Sequence, residues 1–351
     1  MSGESRVRDA FADQAQWCAK LGSPLTARLM EVMGPRLDRC TASGRKILDW
    51  QGQPNAHGDS VPLRLAGALH ALVRRGRLPD LARRYPPNAL PEPEDLAAAA
   101  FAALADADAE IAEWLDHPPQ TNEVGRSGIL YPGMMVLAKE TGLPLSLFEI
   151  GCSAGLNLIP DRYAYRLGRT DGGAQGSPVA LAPAWTGPAP DGVDPVIAAR
   201  RGCDRSPLHV TDPAHHERLI AYIWPDQADR LARVEAAIGL ARADPPAIDR
   251  ADAADWVDEM IGAEPRPGMT RVLFHSIAFQ YFPEAAQRRI AATMERAGRT
   301  ATPDTPLAWL AFEHYRKEAP RLTLRLWPGG GERELARGDA HVHTVNWLAP
   351  V

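Results

Sequence analysis

The chain lacks paired cysteines, long apolar runs and an excess of positive charge. Its four cysteines, Cys18, Cys40, Cys152 and Cys203, are scattered through 351 residues, and none forms a C-x-x-C pair. That argues against a secreted disulfide scaffold and against a cysteine-held zinc ion, so no metal is assigned, and it fits a reducing cytoplasm. The most apolar run, "LAAAAFAALA", is ten residues long and flanked by acids. A bilayer takes about 20 apolar residues, so this run suits a core helix. The opening "MSGESRVRDAFADQ" is too polar for a signal peptide. The net charge of -5 and the pI near 6.1 give no bulk attraction to nucleic acid. Residues 1–90 do carry 14 Lys and Arg against 8 Asp and Glu, which reads as an Arg-rich helical surface. The partners expected are therefore a small-molecule substrate, with no nucleic acid and no membrane.

What is present is ordinary globular material, 45% hydrophobic and 24% charged. Residues 1–117 read as helices throughout. "LRLAGALHALVRRG" has apolar residues at helical spacing before a glycine stop, and "PEPEDLAAAAFAALADADAEIAEWL" opens with the prolines and acids of a helix start. After a connector, "HPPQTNEVGRS", the pattern becomes strand and helix in alternation. Apolar strands are expected at "LSLFEI", "PVIAARRGCD", "PPAID", "TRVLFHSIAFQYF", "PLAWLAFEHY" and "RLTLRLW", with helices between. Alternation of this kind implies a doubly wound, mostly parallel α/β sheet. The last part of "RLTLRLWPGGGERELARGDAHVHTVNWL" reads as a hairpin, adding an antiparallel edge. Residues 168–195 have no period and read as an irregular insertion. The expected organisation is an all-α domain over 1–117 and an α/β domain over 118–351, with no internal repeat.

The segment "LSLFEIGCSAGLNLIPDRY" carries two chemistries. Gly151-Cys152-Ser153-Ala154-Gly155 fits the G-x-S-x-G elbow of a serine hydrolase, whose triad would continue through Asp252 or Asp255 to His314, His341 or His343. No HGGG-type oxyanion segment precedes it. The same letters also fit a glycine loop at a strand end, where backbone approaches a cofactor. Glu149 stands one residue before Gly151, where a carboxylate takes the ammonium of an amino-acid-like cofactor and would repel a pyrophosphate. This start resembles the first motif of class I S-adenosylmethionine-dependent methyltransferases, with Ser153 in place of the middle glycine. "RRGCDRSPL" ends a strand in Asp204 and resembles the second motif, whose acid accepts the ribose hydroxyls. "IDRADAADW" puts Asp252 and Ala253 after the next strand, resembling the loop that reads adenine. The resemblance thus implies a methyltransferase-like Rossmann core and S-adenosylmethionine held by Glu149, Gly151, Ser153, Gly155, Asn157, Asp204, Asp252 and Ala253.

Over residues 10–350 the chain also resembles a bacterial family known as domain of unknown function 2332. The resemblance rests on "QTNEVGRSGIL", "EIGCSAGLNLIPDRYAY", "RRGCDRSPL", "IWPDQADRL", "DRADAADW", "LFHSIAFQYFP", "TPLAWLAFE" and "LRLWPGG", and it brings no known reaction. Alkyl transfer to a small molecule asks mostly for alignment, plus a base when the acceptor loses a proton. His275 is the candidate base, with Glu123 and Tyr281 as further candidate catalytic groups. Gln120, Asn122, Arg126, Ser276 and Gln280 are the candidate substrate contacts. Two alternatives stand beside this reading: the Ser153 hydrolase, and a non-catalytic cofactor-binding regulator.

Overall fold

The computed structural model describes residues 3–315 and 318–348; the outer limits expected for the two domains, residues 1 and 351, lie outside that range. The chain divides into two compact units. The first comprises residues 1–121 and 213–232, the second 122–212 and 233–351. Among the described residues no helix is long and apolar enough to cross a membrane.

The first unit is all helix: α1 (Gly3–Lys20), α2 (Pro24–Arg36), α3 (Ala42–Leu48), α4 (Val61–Arg74), α5 (Pro79–Ala82), α6 (Pro93–Asp106) and α7 (Asp108–Trp114). Val7, Phe11, Ala15 and Cys18 make one buried stripe along α1, the spacing of a single helix face. Gly34 lets α2 close on that stripe, because a Cβ there would lie 2.7 Å from the Phe11 Cβ. α6 starts with a proline in its first turn followed by Glu94 and Asp95, which suits the positive end of the helix. Its buried Leu96, Ala100 and Leu104 join the core formed by Leu29, Met33, Leu65 and Leu69.

The second unit opens with α8 (Ser127–Thr141), which ends on Gly142 in the left-handed conformation, φ 66°. β1 (Leu145–Ile150) follows. A small three-stranded sheet then forms from β2 (Ala164–Leu167), β3 (Thr170–Gly173) and β4 (Ala180–Leu181). After β5 (Ala184–Thr186) and β6 (Ile197–Asp204) the chain returns to the first unit for α9 (Pro213–Ala221) and the start of α10 (Ala228–Ala243), whose remainder belongs to the second. The remainder is β7 (Ala247–Arg250), α11 (Ala253–Gly262), β8 (Thr270–Ser276), α12 (Glu284–Gly298), β9 (Leu307–Glu313), β10 (Arg321–Trp327), β11 (Glu332–Gly338) and β12 (Thr344–Trp347). The main sheet has nine strands in the order β5-β12-β11-β10-β9-β8-β1-β6-β7. From β9 to β7 every pair is parallel. Numbered along the chain, those five strands lie in the order 3-2-1-4-5, so the direction of growth reverses between β1 and β8. Such a switch point leaves a crevice outside the C-terminal strand ends.

β8 is buried along its whole length, as expected of a central parallel strand covered on both faces. Its side chains alternate. Val272 and Phe274 pack with Leu130, Met134 and Leu137 of α8, while Leu273 packs with Val257 of α11 and Ile290 of α12.

Four features differ from the sequence reading. Residues 168–195 are not wholly irregular: they supply β3, β4 and β5, strands of two to four residues that are too short to show a period. The strand expected to run on to Phe282 stops at Ser276, where Ile277 takes φ 46° and Phe279–Tyr281 form a 3-10 turn. The C-terminal strands are antiparallel as expected, but the outermost strand of that edge is β5, parallel to β12. Residues 213–232, expected in the α/β domain, belong to the helical unit. Helical periodicity alone does not say which core a helix joins.

Candidate functional site

The C-terminal end of β1 runs into a turn in which alternate residues are left-handed: Gly151 at φ 66°, Ser153 at φ 54° and Gly155 at φ 69°. A Cβ at Gly151 would lie 2.8 Å from the Ala278 Cβ, so both conformation and space call for glycine there. Ser153 adopts a conformation that favours glycine. Its N–H donates to Asp204 Oδ2 at 2.9 Å, and the Ser206 N–H donates to Oδ1 at 2.8 Å. Asp204, at the end of β6, therefore holds the loop against its neighbouring strand. Gly151, Asp204, Asp252, Ala253, Tyr281 and Phe282 line one cleft of about 200 Å³. Asp252 accepts from the Ala254 N–H at 2.9 Å, capping α11, and from Arg205 at 2.7 Å. Tyr281 is exposed at its rim.

Beneath the loop lies Glu149, 2% exposed, with Oε2 sealed from solvent and bonded to nothing among the described residues. Burial pushes its carboxyl well above the ordinary carboxylate range; Arg126 opposes that shift and Asp204 adds to it. A buried carboxyl with an orphaned oxygen is the natural seat of a cationic ligand group.

The segment 122–126 is built as struts. Asn122 Oδ1 accepts from the Leu156 N–H at 2.8 Å, and Glu123 Oε1 from the Gly125 N–H at 2.9 Å. Asn157 accepts from the Ser127 hydroxyl at 2.8 Å and donates to the Glu123 carbonyl at 3.3 Å. Arg126 donates to the carbonyls of Ser276, at 2.9 Å, and Ala340, at 3.2 Å. Asn122, Glu123, Arg126, Asn157 and Ser276 are thus brought together around the loop. Gln120 belongs to the first unit.

His275 is 1% exposed, and both ring nitrogens are engaged. The Trp309 indole N–H donates to Nε2 at 2.9 Å, which leaves the proton on Nδ1, and Nδ1 donates to Glu313 Oε1 at 2.7 Å. The same Oε1 accepts the N–H groups of Ala278 and Phe279, each at 3.0 Å. Glu313 Oε2 is buried without a partner among the described residues. Burial works against its charge, but the bonds from His275 and the two backbone donors outweigh it, and the carboxyl lies below its ordinary range. The lone pair that a base would use on His275 accepts from Trp309 in this structure. A cavity of about 270 Å³ borders His275, Phe279, Trp309 and Glu313. Gln280 Oε1 accepts from the His314 N–H at 3.2 Å beside it.

The elbow reading lacks its base. Ser153 Oγ is buried with no hydrogen-bond partner among the described residues, whereas a nucleophilic serine needs a histidine within about 2.6–3.2 Å. His343 is committed to Asp339 at 3.0 Å, and His314 contacts the Glu318 carbonyl at 3.1 Å. Ser153→Ala, which removes an unpaired hydroxyl and keeps the loop small, is expected to leave stability within about 0.5 kcal/mol of wild type. A fluorophosphonate probe is expected to leave the wild-type chain unlabelled; stoichiometric labelling at Ser153 would restore the hydrolase.

Sequence reasoning missed Glu313, because only the parallel pairing of β8 with β9 sets it beside His275. It also missed Asp339, and it considered His341 and His343 only as triad histidines for Ser153, although ligand-type atoms of the three lie within 4.8 Å of one another. Asp339 there already accepts from the N–H groups of His341 and Thr344, which fixes the turn before β12.

No curated protein and no solved structure matches the chain. The sequence profile of a bacterial family described as an uncharacterized protein conserved in bacteria, domain of unknown function 2332, matches residues 8–347, and the chain belongs to that family.

Proposed function

We propose that the second unit binds S-adenosylmethionine at the ends of β1, β6 and β7 and transfers an alkyl group to a small molecule, on a methyltransferase-like Rossmann core. The observation that carries this reading is the convergence of Gly151, Asp204, Asp252 and Ala253, from three successive strand ends, on one cleft at the switch point. The residues fit the cofactor. Asp204 suits a ribose diol. Ala253 is the first residue of α11, where helix geometry leaves an N–H for an adenine ring nitrogen. Gly151 lets the chain pass from this cleft towards Glu149, whose orphaned oxygen suits the ammonium group. When bound, S-adenosylmethionine supplies a methyl group on a sulfonium, an electrophile needing no metal.

The protein's own part is alignment and, for a protic acceptor, a proton sink. Glu313 through Oε2 serves that purpose better than His275. It carries charge, and the imidazole and two N–H groups hold it in place. His275 and Trp309 are then positioning residues.

Calorimetric titration of the full chain with S-adenosylmethionine and S-adenosylhomocysteine tests the reading. One site per chain is expected for each. Asp204→Ala is expected to weaken both about tenfold or more, since losing a charged hydrogen-bond acceptor costs roughly 1.5–3 kcal/mol. A folded Asp204→Ala chain with unchanged affinity removes the ribose assignment, and a wild-type chain that binds neither ligand removes the function.

A further inference from the structure

The geometry points to a second binding site, for an amphipathic organic anion, towards the N-terminal ends of β1, β6 and β8 and away from the glycine-loop cleft. Its anchor is Arg271, the second residue of β8 and 7% exposed. Nη1 donates to the carbonyls of Ile261, at 2.8 Å, and Ala263, at 3.2 Å, where α11 ends. The other edge of the guanidinium is idle. Nε is sealed from solvent with no acceptor, and Nη2 makes no hydrogen bond among the described residues. No carboxylate of the described residues pairs with it, and burial lowers its pKa with no acid opposing the shift. A guanidinium stays protonated in proteins, so this is a buried charge without a counter-charge, an arrangement proteins rarely retain.

The idle Nε/Nη2 edge is the one that grips a carboxylate or phosphate in two parallel bonds. Two neighbours use it in that way or nearly so. Arg201 holds Asp249 through Nε and Nη2 at 2.7 and 3.0 Å, and Arg200 holds Asp161 through its two terminal nitrogens, each at 2.8 Å. Arg271 alone of the three has no acid to hold. It lines a cavity of about 400 Å³ shared with Phe148, Met260, Met269 and Arg266, and with one acid, Glu264. That volume is far larger than a bare oxyanion. The aromatic ring and two thioethers offer an apolar wall for a hydrophobic body, with the anionic head on Arg271 and Arg266. The site is independent of the methyltransferase reading.

Octanoate and octyl phosphate are the probes, with octylamine, octanol and inorganic phosphate as controls, titrated into the full chain. At least one of the two anions is expected to bind at one site per chain and raise the melting temperature, with the preferred head distinguishing carboxylate from phosphate. Octylamine is expected not to bind, and octanol and inorganic phosphate to bind at least tenfold more weakly. Arg271→Met is expected to weaken the anion at least tenfold. Ala199→Phe, which fills the cavity from the exposed side and leaves Arg271 intact, is expected to do the same and covers the case in which Arg271→Met does not fold. Octanol binding as tightly as the anions, anion binding unchanged in either folded variant, or neither anion binding the wild-type chain would each overturn the proposal.

Discussion

Glu313→Ala is expected to destabilise the second unit by on the order of 3 kcal/mol. Its Oε1 accepts three donors, from His275, Ala278 and Phe279, and truncation leaves all three without an acceptor. Each buried donor left unpaired costs about 1–3 kcal/mol, and alanine also leaves a void beside the His275 ring. For a unit of this size the loss corresponds to a fall in Tm of roughly 6–12 °C. Glu313→Gln keeps an oxygen in the Oε1 position and is expected to retain most of the stability. It is expected to lose turnover on a protic acceptor while keeping cofactor affinity. Paired thermal melts of the two variants decide the matter. Equal melting temperatures for Glu313→Ala and wild type would mean that the Trp309–His275–Glu313 chain does not hold the turn after β8.

Glu149→Gln is expected to have the largest effect on cofactor binding, a loss of about ten- to a hundredfold, because a charge-assisted bond to an ammonium is worth roughly 1.5–3 kcal/mol. The same residue governs a pH effect in the unliganded chain. Burial raises the folded-state pKa of Glu149 above its ordinary value of 4.5, so the folded chain holds this proton more tightly than the unfolded one. The stability it contributes is full below about pH 4.5 and is lost as pH rises towards the folded pKa. Glu149→Gln is expected to flatten that slope and to stabilise the unliganded chain in its upper range. Chemical denaturation at several pH values, with and without S-adenosylhomocysteine, separates the two effects. A variant with wild-type affinity and an unchanged slope would dissociate Glu149 from both.

How much of this was legible beforehand depended on how local the determinant was. The helical unit shows in the apolar spacing of α4 and the proline-and-acid start of α6. The central strands showed as apolar runs because burial on both faces leaves no alternation to break, as in β8. The glycine loop is readable because left-handed backbone has a restricted alphabet, although the middle one of its three left-handed residues is Ser153. Strands β3 to β5 were not readable, since two to four residues carry no period. The site divided in the same way. Asp204 and Asp252 stand at strand ends that can be located from sequence. The Glu313 bond to His275 depends on the register that sets His275 against Ala311 across the parallel pair, which no local pattern encodes. His275 is legible as a polar residue interrupting a buried strand, but its hydrogen bonds to Trp309 and Glu313 are not. The idle edge of Arg271 is likewise invisible in a sequence, where every arginine looks equally able to find an acid.

The most direct test of the central claim is a crystal structure of the full chain grown with S-adenosylhomocysteine. The account predicts ordered ligand in the cleft of Gly151, Asp204 and Asp252, with the ribose on Asp204, the adenine beside Ala253 and the ammonium at Glu149. Ligand bound elsewhere, or an empty cleft at saturating concentration, would contradict it.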